Sequence, residues 1–515
     1  YKRQGKTLYE TSYGADGKPS GIVAQGVRTD YTYDAAGRLK KLVSDNGLSV
    51  QYRYDRNGMQ TQMLYGNGLV TAYTYDSRSR LTGMRSGFPD RTPLFDASYT
   101  YDASGNRTDR QETVHGNHGT HKTPVTTAYG YDSMNRLVSE NCGNSRISYK
   151  YDLSGNRISR DTDGRTENYL YNSRNQLTQL TGDDKNISYT YDPAGNLTEE
   201  HSTEHKKIYS YDTYNRNTEI NGNDFTQKNH YDAEGYRYSI EENDKVTNFV
   251  YRRGIMLAEL DEAGNQAKTY TLGNEYAGHV SELNNSLTSE NKAASYYITD
   301  EQGSIRYILD QSGEVQNYYQ YSAFGETIIS EETTPNRLRY NTQTEDELTG
   351  FYYLRARYYA PGIGRFTQED VIYNDGLNLY AYCNSNPVMY SDPSGFAKET
   401  CKSKVGGECD SESGSKGGSA TSRPTWRQSE LDAATDFPGY ADQKSFINGK
   451  EVSYGTKGSV RPDYYKDGFC VDIKNYNVES ASGRSNLARN IEKQYYQRIE
   501  NLPDLSLIHI SEPTR

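Results

Sequence analysis

Two acidic residues and a lysine near the C-terminal end of the chain have the spacing of a metal-assisted hydrolytic site. Asp472 and Lys474 alternate with Val471 and Ile473 in one short segment. Residues two apart on a β-strand point to the same face, so Asp472 and Lys474 share one face and the apolar pair faces a core. Asp463 precedes Asp472 by a gap typical of a hairpin, so we expect it on the adjacent strand. Two such carboxylates are hard ligands that suit Mg²⁺.

The residue types that this C-terminal region lacks narrow its chemistry. No histidine occurs between residues 397 and 504. Within this range, sites that use histidine as a metal ligand or as a general base are therefore excluded. The same range has equal numbers of basic and acidic residues, so the net charge of -11 belongs to the chain before it. An acidic upstream region is poorly suited to binding nucleic acid.

Pro462-Asp463, followed by Asp472-Ile473-Lys474, resembles the core motif of the PD-(D/E)xK nucleases. The resemblance implies a small α/β domain with a Mg²⁺ ion, or another divalent cation, held by Asp463, Asp472 and an acidic residue of the first helix, here Glu430. The metal would acidify its water, and Lys474 would hold that water and stabilise the developing charge. The alternative is that Asp472 and Lys474 form an exposed ion pair at the end of a strand.

A helix is predicted over residues 484–500, because Leu487, Ile491 and Tyr495 recur every four residues. Its other side is basic. If the domain is a nuclease, we expect three residues of that side to contact phosphates, namely Arg484, Lys493 and Arg498. An ordinary solvated face is the alternative.

Upstream of this region, one short motif recurs along most of the chain. Tyr-x-Tyr-Asp occurs with its Asp at positions 34, 55, 76, 102, 132, 152, 192 and 212, and Tyr171-Asn172 and Tyr231-Asp232 are near-matches. The two tyrosines fall on one face of a strand, the Asp begins a turn, and a Gly or Asn soon after supplies the left-handed residue of a hairpin. Such hairpins bury their aromatic faces only by stacking. The motif therefore predicts a long antiparallel sheet, coiled or closed to hide its edges.

These units, for example Tyr149-Lys-Tyr-Asp-Leu-Ser-Gly-Asn-Arg157, resemble the YD-repeat (Rhs-repeat) family over about residues 1–396. Denser motifs after residue 296 resemble the Rhs-associated core domain, among them Thr349-Gly-Phe-Tyr-Tyr-Leu-Arg-Ala-Arg-Tyr-Tyr359 and Gly364-Arg-Phe-Thr-Gln368. The resemblance implies a mostly β fold, in which a spiral β-sheet shell (a cocoon, here partial) precedes the small, truncated α/β domain. An open β-solenoid is the alternative architecture.

Asp392-Pro-Ser-Gly-Phe396 ends the repeat-rich part of the chain. Locally, Asp-Pro-Ser-Gly has the residue preferences of a type I turn. In the core-domain family this motif is a self-cleavage junction, and the resemblance implies an aspartyl autoprotease that cuts once, in cis, after Phe396. The matching carboxylates are Asp392 and Asp370, accompanied by Arg357. One carboxylate would hold a proton while the other activates water.

Two positions depart from the family pattern at this junction. The family usually has Pro after the Asp that corresponds to Asp370, where this chain has Val371. It usually has Asp after Arg-Tyr-Tyr, where this chain has Ala360. Glu369 adjoins Asp370 and is an alternative for the acting carboxylate. The structural alternatives are a turn cap for Asp370 and an ordinary salt bridge for Arg357.

Composition divides the chain further. The predicted regions are the repeat array (1–295), the core domain with its junction (296–396), a Gly/Ser/Lys-rich linker (397–425), the nuclease-like domain (426–504), and a segment typical of a translated sequencing adapter (505–515). The chain begins inside the array, so we expect a fragment that continues naturally past Asp504. No apolar run is long enough for a transmembrane helix, and the five cysteines do not form a disulfide framework.

These observations lead to one hypothesis and one alternative. The hypothesis is a polymorphic toxin of interbacterial competition, in which a shell encloses and by self-cleavage releases a Mg²⁺-dependent nuclease. It implies a nucleic acid substrate, a cognate immunity protein and a secretion or delivery machine. It also implies a secreted or cell-surface location, with the effector delivered into the cytoplasm of a target cell. The alternative is a non-enzymatic YD-repeat protein of the cell surface or of adhesion.

Overall fold

A computed structural model of the protein describes residues 2–3, 6–114, 124–183, 185–282, 292–371 and 378–400, and short strands between 441 and 511. The chain divides into two compact units, residues 1–408 and 409–515. The division falls within the predicted linker. None of the described residues belongs to a helix long and apolar enough to cross a membrane.

The first unit consists of a long antiparallel meander in which each strand from β3 to β32 pairs with the next. The predicted long antiparallel sheet is therefore confirmed. The strands up to the tenth are β1 (Lys2–Arg3), β2 (Lys6–Thr7), β3 (Tyr9–Tyr13), β4 (Pro19–Ala24), β5 (Val27–Tyr33), β6 (Leu39–Ser44), β7 (Ser49–Tyr54), β8 (Gln60–Tyr65), β9 (Val70–Tyr75) and β10 (Leu81–Gly87). The middle strands are β11 (Phe95–Tyr101), β12 (Arg107–Val114), β13 (Val125–Tyr131), β14 (Leu137–Cys142), β15 (Ser145–Tyr151), β16 (Arg157–Thr162), β17 (Arg165–Tyr171), β18 (Leu177–Thr181), β19 (Asn186–Tyr191), β20 (Leu197–His201) and β21 (Lys206–Tyr211). The last strands are β22 (Asn217–Asn221), β23 (Thr226–Tyr231), β24 (Arg237–Glu242), β25 (Lys245–Arg252), β26 (Ile255–Leu260), β27 (Gln266–Leu272), β28 (Tyr276–Glu282), β29 (Lys292–Thr299), β30 (Ile305–Leu309), β31 (Val315–Tyr321) and β32 (Thr327–Glu332).

The turn of each repeat is built by the Asp that follows the second tyrosine. In the turn that begins at Asp212, its Oδ1 accepts the backbone N–H groups of Tyr214 and Arg216, and Asn215 has a left-handed φ of 59°. Glycine or asparagine occupies this left-handed position in the other described repeat turns, with the exception of Ser79. Because left-handed backbone costs least for glycine and next least for asparagine, these residue types favour the turn. The predicted turn chemistry is confirmed.

The two tyrosines of each motif differ in how they hold neighbouring hairpins together. The first ring is buried among the apolar side chains of the sheet, as at Tyr169 and Tyr189. The second ring is half-buried, and its hydroxyl donates to a backbone carbonyl of the preceding hairpin, as from Tyr151 to Leu137 at 2.8 Å. The same bond recurs from Tyr171 to Arg157, from Tyr211 to Leu197 and from Tyr231 to Asn217. Each repeat is thus bonded to the one before it by a side chain as well as by the strand ladder.

The early strands of the meander pack against the late ones. One hydrophobic cluster joins residues of β6 to β11 with residues of β28 to β31. Tyr65 donates to the carbonyl of Tyr297 at 2.9 Å, and Tyr99 donates to Glu301 at 2.9 Å. The sheet is therefore coiled, and in the described residues its aromatic face is covered by later parts of the same chain.

A small second sheet follows the meander. Its strands pair antiparallel in chain order, and a short pair follows; they are β33 (Thr344–Glu345), β34 (Tyr352–Tyr353), β35 (Tyr358–Ala360), β36 (Arg365–Phe366), β37 (Tyr390–Ser391) and β38 (Glu399–Thr400). Two 3₁₀ turns lie at Tyr340–Thr342 and Cys383–Ser385. Phe351, Tyr353 and Tyr358 pack in one cluster with the repeat tyrosines Tyr169 and Tyr209. The described residues of 333–396, which follow β32 and are hereafter called the core-motif segment, are thus seated on the array.

The second unit is described only as short strands. They are β39 (Ala441–Asp442), β40 (Ser445–Ile447), β41 (Lys450–Val452), β42 (Tyr464–Lys466), β43 (Phe469–Ile473) and β44 (Leu507–Ser511). β42 and β43 form an antiparallel pair in which Tyr464 lies opposite Val471, and β44 pairs parallel to β43.

Candidate functional site

Three side chains that the sequence analysis assigns to self-cleavage meet in the core-motif segment. Arg357 directly precedes β35, and its Nη2 lies 2.7 Å from Oδ2 of Asp370 and 3.6 Å from Oδ2 of Asp392. All three side chains are buried. The two carboxylates are therefore no farther apart than the sum of those two distances, although 22 residues separate them in the sequence.

The position of Arg357 is fixed by contacts around its whole guanidinium group. Its Nη1 donates to the carbonyl of Leu379 at 2.9 Å, and its Nε donates to the carbonyl of Gly395. Its Cζ lies 3.6 Å from the centre of the Phe366 ring, which is a cation–π contact. Asp370 is placed beside it because its own backbone N–H donates to the same Leu379 carbonyl at 3.0 Å.

The junction loop is folded around the carboxylate of Asp392. Its Oδ1 accepts the N–H of Gly395 at 2.8 Å and the N–H of Ala397 at 3.3 Å. The predicted turn at Asp392-Pro-Ser-Gly is thus closed by the Asp side chain. The N–H of Ala397 belongs to the peptide bond after Phe396, so Asp392 touches the nitrogen of the bond that the sequence analysis marks for cleavage.

Gly395 permits this close fold of the loop. Its φ is 73°, and a Cβ there would lie 2.6 Å from the carbonyl oxygen of Leu354 and 3.0 Å from the nitrogen of Arg357. Since non-glycine residues rarely adopt this backbone conformation and this Cβ would collide with backbone atoms, only glycine fits. β37 and β38 then hold the two ends of the loop as an antiparallel pair.

The structure separates Asp370 from its neighbour Glu369. Glu369 forms an ion pair with Arg174 at 3.0 Å and accepts from the hydroxyl of Tyr380 at 3.4 Å. It thus makes these contacts with a repeat turn and Tyr380, while Asp370 faces Arg357. Of the two departures from the family pattern, Val371 is 67% exposed and Ala360 is buried in β35.

Sequence reasoning assigned no role to Gln368, although it lies in a motif noted above. Its Oε1 accepts the backbone N–H of Tyr358 at 2.9 Å, and its Nε2 donates to the carbonyl of Asn215 at 2.9 Å. Gln368 lies two residues before Asp370, and this spacing is the sequence signal that could have marked it as part of the site. The carbonyl of Leu379, in contrast, has no signature in side-chain type.

Almost all residues of the predicted nuclease site lie outside the part of the chain that the structure describes. Asp472 is in β43, where only the backbone is described, and the remaining predicted residues fall outside the described residues: Glu430, Asp463, Lys474, Arg484, Lys493 and Arg498. Within the described part of the chain, no group of three or more His, Cys, Asp or Glu side chains is arranged to hold a metal ion. The Mg²⁺ site and the basic helix stay predictions.

Several proteins of known name or structure are similar to parts of this chain. The tRNA3(Ser)-specific nuclease WapA of Bacillus spizizenii is 38% identical over 175 residues, which is 32% of this chain and 7% of that protein. The double-stranded DNA deaminase toxin A of Burkholderia cenocepacia is 36% identical over 108 residues, which is 20% of this chain and 8% of that protein. The chain thus spans less than a tenth of the length of either relative.

A crystal structure of TcdB2-TccC3-TEV shares the fold with a TM-score of 0.63 at 21% identity, over 75% of this chain and 21% of that one. Residues 33–70 match the RHS repeat family. Residues 84–388, more than half of the chain, match the Teneurin YD-shell family. The chain therefore belongs to the Teneurin YD-shell family and carries RHS repeats.

Proposed function

We propose that this chain is a piece of an Rhs-type toxin whose core-motif segment cuts its own backbone between Phe396 and Ala397. The observation that carries the proposal is the contact of Asp392 with the nitrogen of Ala397, beside an arginine that also holds Asp370. Asp392 thus already contacts the target bond, and Asp370 is held on the same arginine. This is the pre-organisation that intramolecular hydrolysis requires.

The proposed step is a hydrolysis in which the two carboxylates exchange one proton through the substrate. Asp370, ionised, takes a proton from a water molecule whose oxygen attacks the carbonyl carbon of Phe396. Asp392 must first be protonated, since its Oδ1 accepts the Ala397 N–H in the structure, and it then gives that proton to the nitrogen of Ala397 as the C–N bond breaks. Arg357 keeps the pair together and orients the junction through the Gly395 carbonyl. The products are a carboxylate at Phe396 and an amine at Ala397, and the cut ends the reaction.

Substitution at the two carboxylates tests this proposal, with cleavage followed by intact-mass spectrometry of the purified chain. Asp392→Asn and Asp370→Asn should each leave the chain uncut, because neither amide carries out the proton transfer. Glu369→Gln is the matched control, since it removes the adjacent carboxylate, and it should cleave like the natural chain. Cleavage by Asp370→Asn together with its loss in Glu369→Gln would transfer the role to Glu369.

For the released unit we propose a metal-dependent nuclease of the PD-(D/E)xK kind. The support is local: Asp463 immediately precedes β42, and Asp472 lies in β43, which pairs antiparallel with β42. Asp463, Asp472 and Glu430 would hold Mg²⁺, which supplies an acidified water when bound. Lys474 would orient that water, while Arg484, Lys493 and Arg498 would contact phosphates. Relatives named as a nuclease and as a DNA deaminase toxin are consistent with a nucleic acid target.

The effector proposal also implies partners, namely a cognate immunity protein and a delivery machine that exports the chain toward a target cell. Expression of the chain inside a bacterial host tests the effector. Growth arrest with Mg²⁺-dependent loss of DNA or RNA, abolished in Asp472→Ala and in Lys474→Ala but retained in Glu369→Gln, is the expected result. If the chain is cut after Phe396 but does not arrest growth, the autoprotease proposal stands and the nuclease proposal is wrong. A chain that is neither cut nor toxic would favour the non-enzymatic surface protein.

A further inference from the structure

The core-motif segment makes a recurring kind of contact with the repeat turns. In the turn at Asp212, the hairpin bonds use the carbonyls of Asp212 and Arg216, which leaves the carbonyl of the left-handed Asn215 to other donors. That carbonyl accepts from Gln368. The left-handed residues of three other repeat turns accept from the same segment in the same way: Asn135 from Asn386, Asn175 from Arg365, and Gly195 from Tyr380. The left-handed Gly254 of the hairpin turn between β25 and β26 accepts from Arg355.

These contacts lie beside the cleavage site in the chain. Arg355 is two residues before Arg357, and Gln368 is two residues before Asp370. Tyr380 directly follows Leu379, whose carbonyl accepts from both Arg357 and Asp370. The elements that carry the two sides of the site are thus each bonded, within two residues, to a different turn of the array.

We propose that Gln368 and Arg355 are positioning residues that bind the carbonyls of Asn215 and Gly254 and thereby make self-cleavage conditional on a folded, stacked array. The proposal rests on the proposed cleavage after Phe396 and adds its regulation.

The sequence separations between the bonded residues explain why self-cleavage would occur late in folding. Gln368 and Asn215 are 153 residues apart, and Arg355 and Gly254 are 101 residues apart. Contacts across such distances form only after the intervening hairpins have folded and closed the loop between them. The junction would then be cut after the shell is in place, so that the released segment is not freed from an unfinished array.

Two substitutions of Gln368 distinguish its contact with the array at Asn215 from its local contact with Tyr358. Gln368→Glu keeps the oxygen that accepts from Tyr358 but replaces the donor to Asn215 with a second acceptor. Gln368→Met removes both bonds. Cleavage is timed by intact mass after the denatured, uncut chain is refolded at pH 7. We expect both variants to cleave roughly 10- to 100-fold more slowly, because small displacements of a reacting group have effects of that size.

Further controls keep a structural effect apart from a positioning effect. Gln62→Glu makes the same charge change at a partly exposed site that pairs with Arg53, and it should cleave normally. Gln368→Met should lower the rate at every pH without moving the pH profile, because glutamine does not titrate. If Gln368→Met fails to refold, as judged by near-ultraviolet circular dichroism, Arg355→Met tests the Gly254 contact by the same assay.

The outcomes are distinct. Slow cleavage in folded Gln368→Glu supports the proposal. Cleavage of folded Gln368→Glu at the natural rate overturns it, and slow cleavage only in Gln368→Met would assign the effect to the Tyr358 contact alone. A natural chain that refolds and is never cut after Phe396 overturns the proposed function itself, and the regulation with it.

Discussion

Two kinds of charged pair in the first unit differ in burial, those at the turns of the repeats and those beneath the core-motif segment. At the turns, pairs such as Asp212 with Arg216 at 2.6 Å keep about a quarter of each side chain exposed. Beneath the core-motif segment, Arg237 holds Asp346 through two nitrogens with neither side chain exposed. The first kind recurs along the array, whereas the second joins distant residues, 109 apart for Arg237 and Asp346 and 95 apart for the buried pair of Arg337 with Glu242.

The pairs at the turns tolerate replacement because arginine and asparagine can make equivalent bonds at the same position. Arg136 donates to Oδ2 of Asp132 at 2.7 Å, reaches the next turn at the carbonyl of Asp152 at 2.9 Å, and stacks over Tyr151. In other repeats an asparagine stands at this position. There it donates to the Asp and then to the left-handed asparagine of the next turn, as from Asn156 to Asn175 at 2.8 Å.

The choice between these residues follows the next turn. Arginine precedes a turn whose left-handed residue is glycine, and asparagine precedes one whose left-handed residue is asparagine. The arginine cases are Arg38 before Gly58, Arg80 before Gly105, Arg136 before Gly155 and Arg216 before Gly235; the asparagine cases are Asn106 before Asn135, Asn156 before Asn175 and Asn196 before Asn215. The array is therefore stabilised by many small and interchangeable bonds, while the seat of the core-motif segment includes buried ion pairs between distant residues.

The largest expected effect is at the buried pair. Asp346→Asn should lower the free energy of unfolding of the first unit by about 3–5 kcal/mol, because it leaves the buried guanidinium of Arg237 without its counter-charge. Urea unfolding followed by tyrosine fluorescence measures the change. Asp30→Asn, which breaks the exposed pair with Arg28, is the control and should have no measurable effect. Equal midpoints for the two variants would remove the distinction between the two kinds of pair.

The second effect depends on pH. Glu140 is buried against Ala323, whose N–H contacts both carboxylate oxygens, and burial raises the pKa of Glu140 to about 7 from 4.5, against the opposing influence of Arg110 and Arg160. The pKa of Glu140 is higher in the folded protein than in the unfolded chain, so its protonated form stabilises the fold. This stabilisation is complete below about pH 4.5 and is lost as pH rises to about 7. Glu140→Gln does not titrate. Its free energy of unfolding relative to the natural chain should therefore rise by roughly 3 kcal/mol between these pH values. Parallel stability profiles for the two proteins would contradict this.

A third, smaller effect tests the pairing of turns. Arg136→Asn alone should cost about 1 kcal/mol, because it loses the ion pair and the bond to the next turn. Gly155→Asn alone places an amide with no matching partner at the left-handed position. The double variant recreates the asparagine arrangement, so a double-mutant cycle should give a favourable coupling of about 0.5–1 kcal/mol. Strict additivity of the two changes would mean that the two residue types do not act as a pair.

The smallest effect concerns the one described repeat turn with neither glycine nor asparagine at its left-handed position. Ser79 has a φ of 61°, and Ser79→Gly should raise the free energy of unfolding by about 0.5 kcal/mol, since the relief of strain exceeds the entropy that glycine loses. Gly58→Ser, at the equivalent position of the preceding turn, is the matched control and should lower it by a similar amount. Thermal unfolding measures both variants.

The array could be predicted from the sequence because its determinants are local. Tyrosines two residues apart, the Asp after them and the left-handed residue all lie within about ten positions, so one repeat shows the whole pattern. The hydroxyl bond from Tyr151 to the hairpin before it was not predicted, since the donor's type does not reveal which carbonyl it meets.

The candidate site was predictable only in part. The family motifs identified Asp370, Asp392 and Arg357, and the structure brings all three together. The bond from Gln368 to Asn215 and the ion pair of Arg237 with Asp346 join distant segments, and no periodicity in the sequence connects them. They follow from how the coiled sheet seats the core-motif segment, which is a property of the whole first unit.

The most direct test of the account is the identity of the new N-terminus in the purified chain. N-terminal sequencing together with intact mass should find a fragment that begins at Ala397 in the natural chain and no such fragment in Asp392→Asn. An intact natural chain, or a fragment that begins at Pro393 as expected from simple breakage of an Asp–Pro bond, would contradict the claim that Asp392, Asp370 and Arg357 act together on the bond after Phe396.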